Sequence, residues 1–233
     1  MKRFWTDVAV VAEDDGWGIA LDTRAVRTPG RAPMSVPTRA LADAIADEWR
    51  AVTDTIDPRA MPLTGLANAA IDRIAPDPAA FANGLARYGE SDLLCYRADG
   101  PVELVERQAA AWDPLLDWAR TRYDLHVAVA TGVVHVAQPP ATLARLGEAI
   151  AARNHFELAP LSVVVTITGS LIAALALAEG AADVDAIRTA ANLDEDWQAE
   201  RWGRDELAER TRRAHEREYA GAVAFLRHLG TIR

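Results

Sequence analysis

Residues 158–178 carry no charged side chain, and such a run has two possible homes: a lipid bilayer or the centre of a folded domain. At about 1.5 Å per residue a helix of this length nearly crosses the hydrocarbon layer. The composition argues against lipid. Pro160, Ser162, Thr166, Thr168, Gly169 and Ser170 interrupt the run, and five of its residues are alanine. Its flanks are Glu157, Glu179 and Asp183, with no cluster of Lys or Arg to anchor an end. A helix apolar on every side equally suits the middle of a helical bundle. The expectation is therefore no membrane insertion, and a helix over 160–178 at the centre of a soluble domain.

The chain around this run divides by periodicity. The first 36 residues alternate short apolar stretches with turn signals: Val8, Val10 and Val11, then Asp14-Asp15-Gly16, then Trp17 to Leu21, then Asp22-Thr23-Arg24 and Thr28-Pro29-Gly30. This is the pattern of a meander of short strands. A first helix is expected from Thr38, whose side chain can accept from free backbone donors. Leu41, Ala44, Ile45, Trp49 and Val52 then recur at three- and four-residue steps. Pro58 and Pro62 mark an extended connection. The pattern beyond it is mainly helical, with helices expected over 63–74, 81–88, 140–154, 160–178 and 183–192, and a last one starting near Asp194 or Arg204. Pro101 is placed to open a helix, and Asp113-Pro114 to end that helix and cap the next. Residues 125–137, centred on Thr131-Gly132, carry a hairpin signal inside this region and could pack with the N-terminal sheet. The fold class is α+β, a small β-rich N-terminal domain over 1–58 and a larger, mainly α-helical domain over 59–233.

Charge and cysteine usage narrow the function classes. The net charge is −9, which repels nucleic-acid phosphates and anionic lipid and suits a partner with a basic patch. Cys95 is the only cysteine, so an internal disulfide and a Cys-rich zinc site are both excluded. The opening residues resemble neither a signal nor a transit peptide, which places the chain in the cytoplasm.

The motifs of catalysis are absent. None of His126, His135, His155, His215 and His228 pairs with a Glu or a second His at metal spacing. No phosphate-binding loop is present, and Thr168-Gly169-Ser170-Leu171 lacks the second glycine of a nucleophile elbow. Paired carboxylates acting on a small substrate form the alternative reading, since 34 acids offer many pairs. Seven tryptophans stand out, and core packing accounts for most of them. Trp197 and Trp202 differ, because they lie among acids in Asp194-Glu195-Asp196-Trp197-Gln198 and Arg201-Trp202-Gly203. Large aromatics beside acids suit a docking patch. The same acids would also suit the start of a helix.

Several phrases, in order, resemble one family. They are Leu21-Asp22-Thr23-Arg24 with Thr28-Pro29, Val36-Pro37-Thr38, Asp47-Glu48-Trp49, Met61-Pro62-Leu63-Thr64 with Asn68 and Ile71-Asp72, then Asp92-Leu93-Leu94 with Tyr96-Arg97, then Gln108 with Trp112-Asp113-Pro114-Leu115, and finally Gln198 to Gly203. Together they resemble the ATP synthase F(1) complex assembly factor two family, chaperones specific for the alpha subunit, in a bacterial form. The resemblance implies a chaperone and not an enzyme, with no cofactor, metal or nucleotide. It implies binding to the unassembled alpha subunit through Asp194, Glu195, Asp196, Trp197, Gln198 and Trp202. It implies structural roles for Trp49, Asp113 and Pro114.

Overall fold

The computed structural model describes residues 1–132, 134–203 and 205–232. Its contacts divide the chain into two units. The first comprises Met1–Pro78, Asn154–Pro160 and Ala220–Arg233, and the second Ala79–Arg153 and Leu161–Tyr219.

In the first unit the expected short strands form. Strand β1 (Val8–Glu13) and strand β2 (Gly16–Leu21) make an antiparallel hairpin, with Val8 opposite Leu21 and Glu13 opposite Gly16. Strands β3 (Arg24–Ala25) and β4 (Ser35–Val36) both pair antiparallel with β2. Helix α1 (Arg39–Ala51) starts where the sequence signals it: the Thr38 hydroxyl oxygen accepts from the Leu41 N–H at 3.2 Å. Its buried face of Leu41, Ala42, Ile45, Ala46 and Trp49 packs on the sheet, and the core also holds Trp5, Ile19, Met34 and Phe225.

Carboxylates tie the loops of this unit to the backbone. Asp22 accepts from the N–H groups of Thr6 and Asp7 at 3.0 and 2.9 Å. Glu48, on α1, accepts from the N–H groups of Leu63 and Thr64 at 2.7 and 2.8 Å and from the Thr64 hydroxyl at 2.7 Å. Those donors open helix α2 (Pro62–Ala69), where backbone N–H groups have no partner inside the helix. Burial pushes the Glu48 carboxyl above its ordinary range, against the opposing pull of these bonds. Asp72 lies on the π-helical turn Ala70–Ile74 that continues α2 within the expected 63–74 helix. It accepts from the Thr28 hydroxyl at 2.6 Å and the Gly30 N–H at 2.7 Å. The approach is so close that a β-carbon on Gly30 would sit 2.6 Å from the Asp72 carboxylate.

The second unit is helical: α3 (Pro78–Ala86), α4 (Val102–Tyr123), α5 (Pro140–Ala151), α7 (Leu171–Ala178) and α8 (Val184–Trp202), with parts of α6 (His155–Thr168) and α9 (Glu206–Leu229). Four expectations need correction. First, Asp113-Pro114 does not end a helix: α4 runs straight through it. Gln108, Trp112, Leu115, Leu116 and Ala119 form one continuous buried stripe, while Pro114 and Ala110, whose carbonyl loses its donor, face solvent. Packing on one side holds the helix, and water can serve the carbonyl on the other. Second, the uncharged run is two helices. The chain breaks at Gly169, with φ of 65°, and α7 restarts from Ser170, whose hydroxyl oxygen accepts from the Ala173 N–H at 2.9 Å. All eight residues of α7 are buried, and among the described residues no helix is long and apolar enough to cross a membrane. Third, the helix expected over 183–192 continues to Trp202, so 194–196 lie within it and not at a helix start. The last helix does begin near the other expected start: α9 opens at Glu206, and Arg204 itself lies outside the described residues.

The fourth correction concerns 125–137. Ala130–Thr131 forms strand β6, which pairs in parallel with strand β5 (Tyr96–Arg97). Among the described residues the second arm of the expected hairpin has no strand; Val133 lies outside them. His135 Nδ1 is 2.8 Å from the Tyr96 hydroxyl.

Asp92 holds the break in the uncharged run. It is fully buried, and its carboxylate accepts from the N–H groups of Leu94 at 3.1 Å and Ile172 at 3.0 Å. Burial pushes its carboxyl up to about 6 despite these bonds. Substituting Asp92→Ala strands these donors in the core and should cost about 2–4 kcal/mol at neutral pH. The linkage has a definite sign. Between the ordinary value of 3.8 and about 6 the folded state keeps a proton that the unfolded state has lost, so stability from this group falls as pH rises through that window. Urea unfolding midpoints should therefore show wild type losing stability relative to Asp92→Asn from about pH 4 to about pH 6.

Candidate partner-binding groove

Residues 194–196 occupy consecutive positions on α8, so their side chains leave the helix about 100° apart. The structure gives each a different neighbour. Asp194 accepts from the Gln108 amide at 2.8 Å, and the Gln108 carbonyl oxygen accepts from the Ala98 N–H at 2.8 Å. Gln108 is 2% exposed, so this bridge between α4, α8 and the segment after β5 lies in the interior. Asp196 pairs with Arg212 on α9, which also reaches Glu216 at 3.3 Å. Glu195 is exposed and, among the described residues, has no hydrogen-bond or ion-pair partner.

The two tryptophans are separated as well. Trp197 is 4% exposed and faces α4, with the Arg107 and Arg201 guanidinium groups 4.8 and 4.5 Å from its ring centre. Arg107 also pairs with Glu200 at 2.8 Å, which fixes that guanidinium over the ring. Trp202 is 78% exposed at the end of α8. Gly203 follows it with φ of 85°, a conformation that suits glycine, and the chain turns into α9. Asp205 caps that helix by accepting from the Ala208 N–H at 3.1 Å.

Glu195, Gln198 and Trp202 point into one groove of about 590 Å³ between α8 and α9. Its α8 wall also includes Arg188, Ala191 and Ala199, and its α9 wall Leu207, Ala208, Thr211 and Tyr219, with Ile167 of α6 between. Both walls repeat at three- and four-residue steps. Leu207 is 71% exposed, so two large apolar side chains stand at the mouth. Arg188 pairs with Asp185 at 3.1 Å and Arg212 with Asp196, which leaves Glu195 as the unpaired acid on the α8 wall among the described residues. A second, smaller groove of about 380 Å³ lies on the far side of α8 and is lined by Asp194, Trp197, Gln198 and Trp202 together with Pro101 and Leu104.

The remaining positions singled out from sequence lie elsewhere. Trp49 is 9% exposed in the core of the first unit, with its ring 5.4 Å from Trp5 in an edge-to-face contact. Asp113 accepts from Arg97 at 2.6 Å, and Pro114 is exposed on α4. Leu207 and the α9 wall are not among the residues singled out from sequence, because the mixed charges of 209–218 suit a plain solvated helix face. Leu207 alone in a polar stretch was the available signal. Among the described residues no three His, Cys, Asp or Glu side chains gather as a metal site, and Cys95 is buried with its thiol pushed up to about 12, chiefly by desolvation.

Residues 2–120 match the family model described as ATP12 chaperone protein. Over 214 residues the chain is 25% identical to the mitochondrial protein atp12 of Schizosaccharomyces pombe, covering 87% of this chain and 74% of that one. The crystal structure of Atp12 from Paracoccus denitrificans superposes with a TM-score of 0.90 at 44% identity, covering 100% of this chain and 98% of that one. An aspartate-to-lysine mutant of the same Paracoccus protein gives 0.90 at 43%, with the same coverage. The Atu1473 protein of Agrobacterium tumefaciens gives 0.92 at 40%, covering 98% of this chain and 86% of that one.

The two tryptophans should respond oppositely to truncation. Trp197→Ala empties a packed site and should cost about 3–5 kcal/mol. Trp202→Ala should change stability by no more than about 0.5 kcal/mol. Chemical denaturation of the two variants beside wild type measures both.

Proposed function

The chain belongs to the ATP12 chaperone family, and we propose that it holds the unassembled alpha subunit of the ATP synthase F(1) sector until the beta subunit takes its place. Its work in assembling F(1) is that of a chaperone, and no chemical step is involved. An unassembled alpha subunit exposes apolar surface made for its neighbour, and such surface aggregates. The observation that carries the reading is the open groove between α8 and α9, with Trp202 and Leu207 at its mouth and the unpaired Glu195 on its wall. Apolar contact there excludes water from the partner's surface. The acid sets orientation and encounter rate more than affinity. Of the acids at 194–196, Asp194 and Asp196 hold α8 to its neighbours, and Glu195 is the one free to meet a basic group on the alpha subunit. The reading needs no nucleotide and no nucleic acid, and it places the chaperone in the bacterial cytoplasm, where the alpha subunit is made.

The rival reading, an enzyme with paired carboxylates, has less to stand on. The half-buried Glu48 and the fully buried Asp92 each spend their carboxylate on backbone N–H groups of their own unit.

Co-purification decides the matter. The wild-type chain should retain the alpha subunit and suppress its aggregation on dilution from denaturant. Glu195→Lys should weaken retention at least about tenfold, roughly 1.4 kcal/mol, with its unfolding midpoint unchanged. A chain that neither retains the alpha subunit nor slows its aggregation would sink the proposal.

A further inference from the structure

We infer that the α8–α9 groove receives an amphipathic α-helix of the partner, apolar along one side and carrying a lysine or arginine that meets Glu195. The inference rests on the reading of this groove as the partner surface and specifies what enters it. Both walls are helices, and apart from the last turn of α8 and the first of α9 their backbone N–H and C=O groups are bonded within the helix. The walls therefore offer side chains and no free ladder of donors and acceptors. An extended segment pressed into the groove would leave the backbone groups that face its floor and walls unpaired and out of reach of water, at a cost of about 1–3 kcal/mol for each such group. A helix satisfies its backbone internally and brings only side chains to the contact. The wall periodicity supports this form. Ala191, Glu195, Gln198 and Trp202 follow one another at steps of four, three and four residues, and Leu207, Thr211, His215 and Tyr219 recur at steps of four. Side-chain ridges at these steps form grooves that accept the ridges of a third helix. Charge selects the occupant. Arg188 and Arg212 are neutralised within the chain by Asp185 and Asp196, so the free charge on the α8 wall is that of Glu195. An acidic occupant finds no free cation on that wall among the described residues, and a basic one meets Glu195.

Two variants of the full chain test this with the alpha subunit itself. Ala208 is exposed on the α9 wall, so Ala208→Trp fills the groove without entering the core. It should lower alpha-subunit retention at least about tenfold, while circular dichroism and the melting temperature stay at wild-type values. In the second variant, Thr211→Cys carries a thiol-linked photo-crosslinker, and the buried Cys95 stays unlabelled. Crosslinks should fall on one stretch of the alpha subunit at three- and four-residue spacing. Wild-type retention by Ala208→Trp, crosslinks at alternate residues, or a bound alpha subunit with no crosslink would each overturn the helix. In all of these cases the chaperone reading survives, because the wild-type chain still retains the alpha subunit. Failure of the wild-type chain to retain it removes both.

Discussion

The uncharged run can be buried only because its one interruption is satisfied from within. Breaking a buried helix at Gly169 exposes backbone donors at the start of α7, deep among apolar side chains where water cannot serve them. Ser170 takes one of these donors, and Asp92 takes another while also fixing the turn at Leu94. Desolvating a carboxylate is costly, as the raised titration of Asp92 records, yet leaving several N–H groups unpaired would cost more. With that junction fixed, α7 can pack against α4, α5 and α8, and α8 presents its far face to the groove. Glu48 does the same for α2, and Asp22 and Asp72 fix loops of the first unit.

This pattern explains why the phrases carrying the family resemblance look like a scattered functional signature. Asp22, Glu48, Asp72, Asp92 and Gln108 each stand in one of those phrases, and each is bonded to backbone. Such residues are recognisable at a distance because no other side chain offers the same acceptors at the same reach. They identify the fold. The surface that would meet a partner is written in less distinctive residues, namely one exposed Glu, one exposed Trp and a leucine in a charged stretch.

The elements most legible in the sequence were those decided locally. Thr38 caps α1 by chemistry within three residues, and the strand meander follows from turn residues beside it. The failures share a different cause. Pro114 reads as a helix breaker, but the buried stripe from Gln108 to Ala119 holds α4 from the other side. Placing a helix start at Asp194 hid the geometry of the whole motif. Within one continuous helix, Trp197 and Trp202 are five residues apart and therefore about 140° apart around the axis. They leave the helix in different directions: the structure buries Trp197 against Arg107 and exposes Trp202, the one of the two that lines the α8–α9 groove. The same rotation sends Asp194, Glu195 and Asp196 to α4, to the groove and to α9. Once the helix boundary is known, the division of roles follows from the period alone.

A chaperone that covers apolar surface carries an apolar surface of its own, and the two demands conflict. Trp202 and Leu207 at the groove mouth would favour self-association if nothing opposed it. The net charge of −9 supplies that opposition, since like-charged copies repel at the distances where contact begins. The same charge draws in a partner with a basic patch, so one global property separates the intended contact from the unintended one. Local ion pairing sharpens the choice. With Arg212 and Arg188 paired inside the molecule, the α8 wall offers its free charge as an acid only, at Glu195. On the proposed reading, affinity rests on side-chain contact over an open groove and not on a sealed pocket or a covalent bond. Such a contact can be displaced when a subunit with more complementary area arrives.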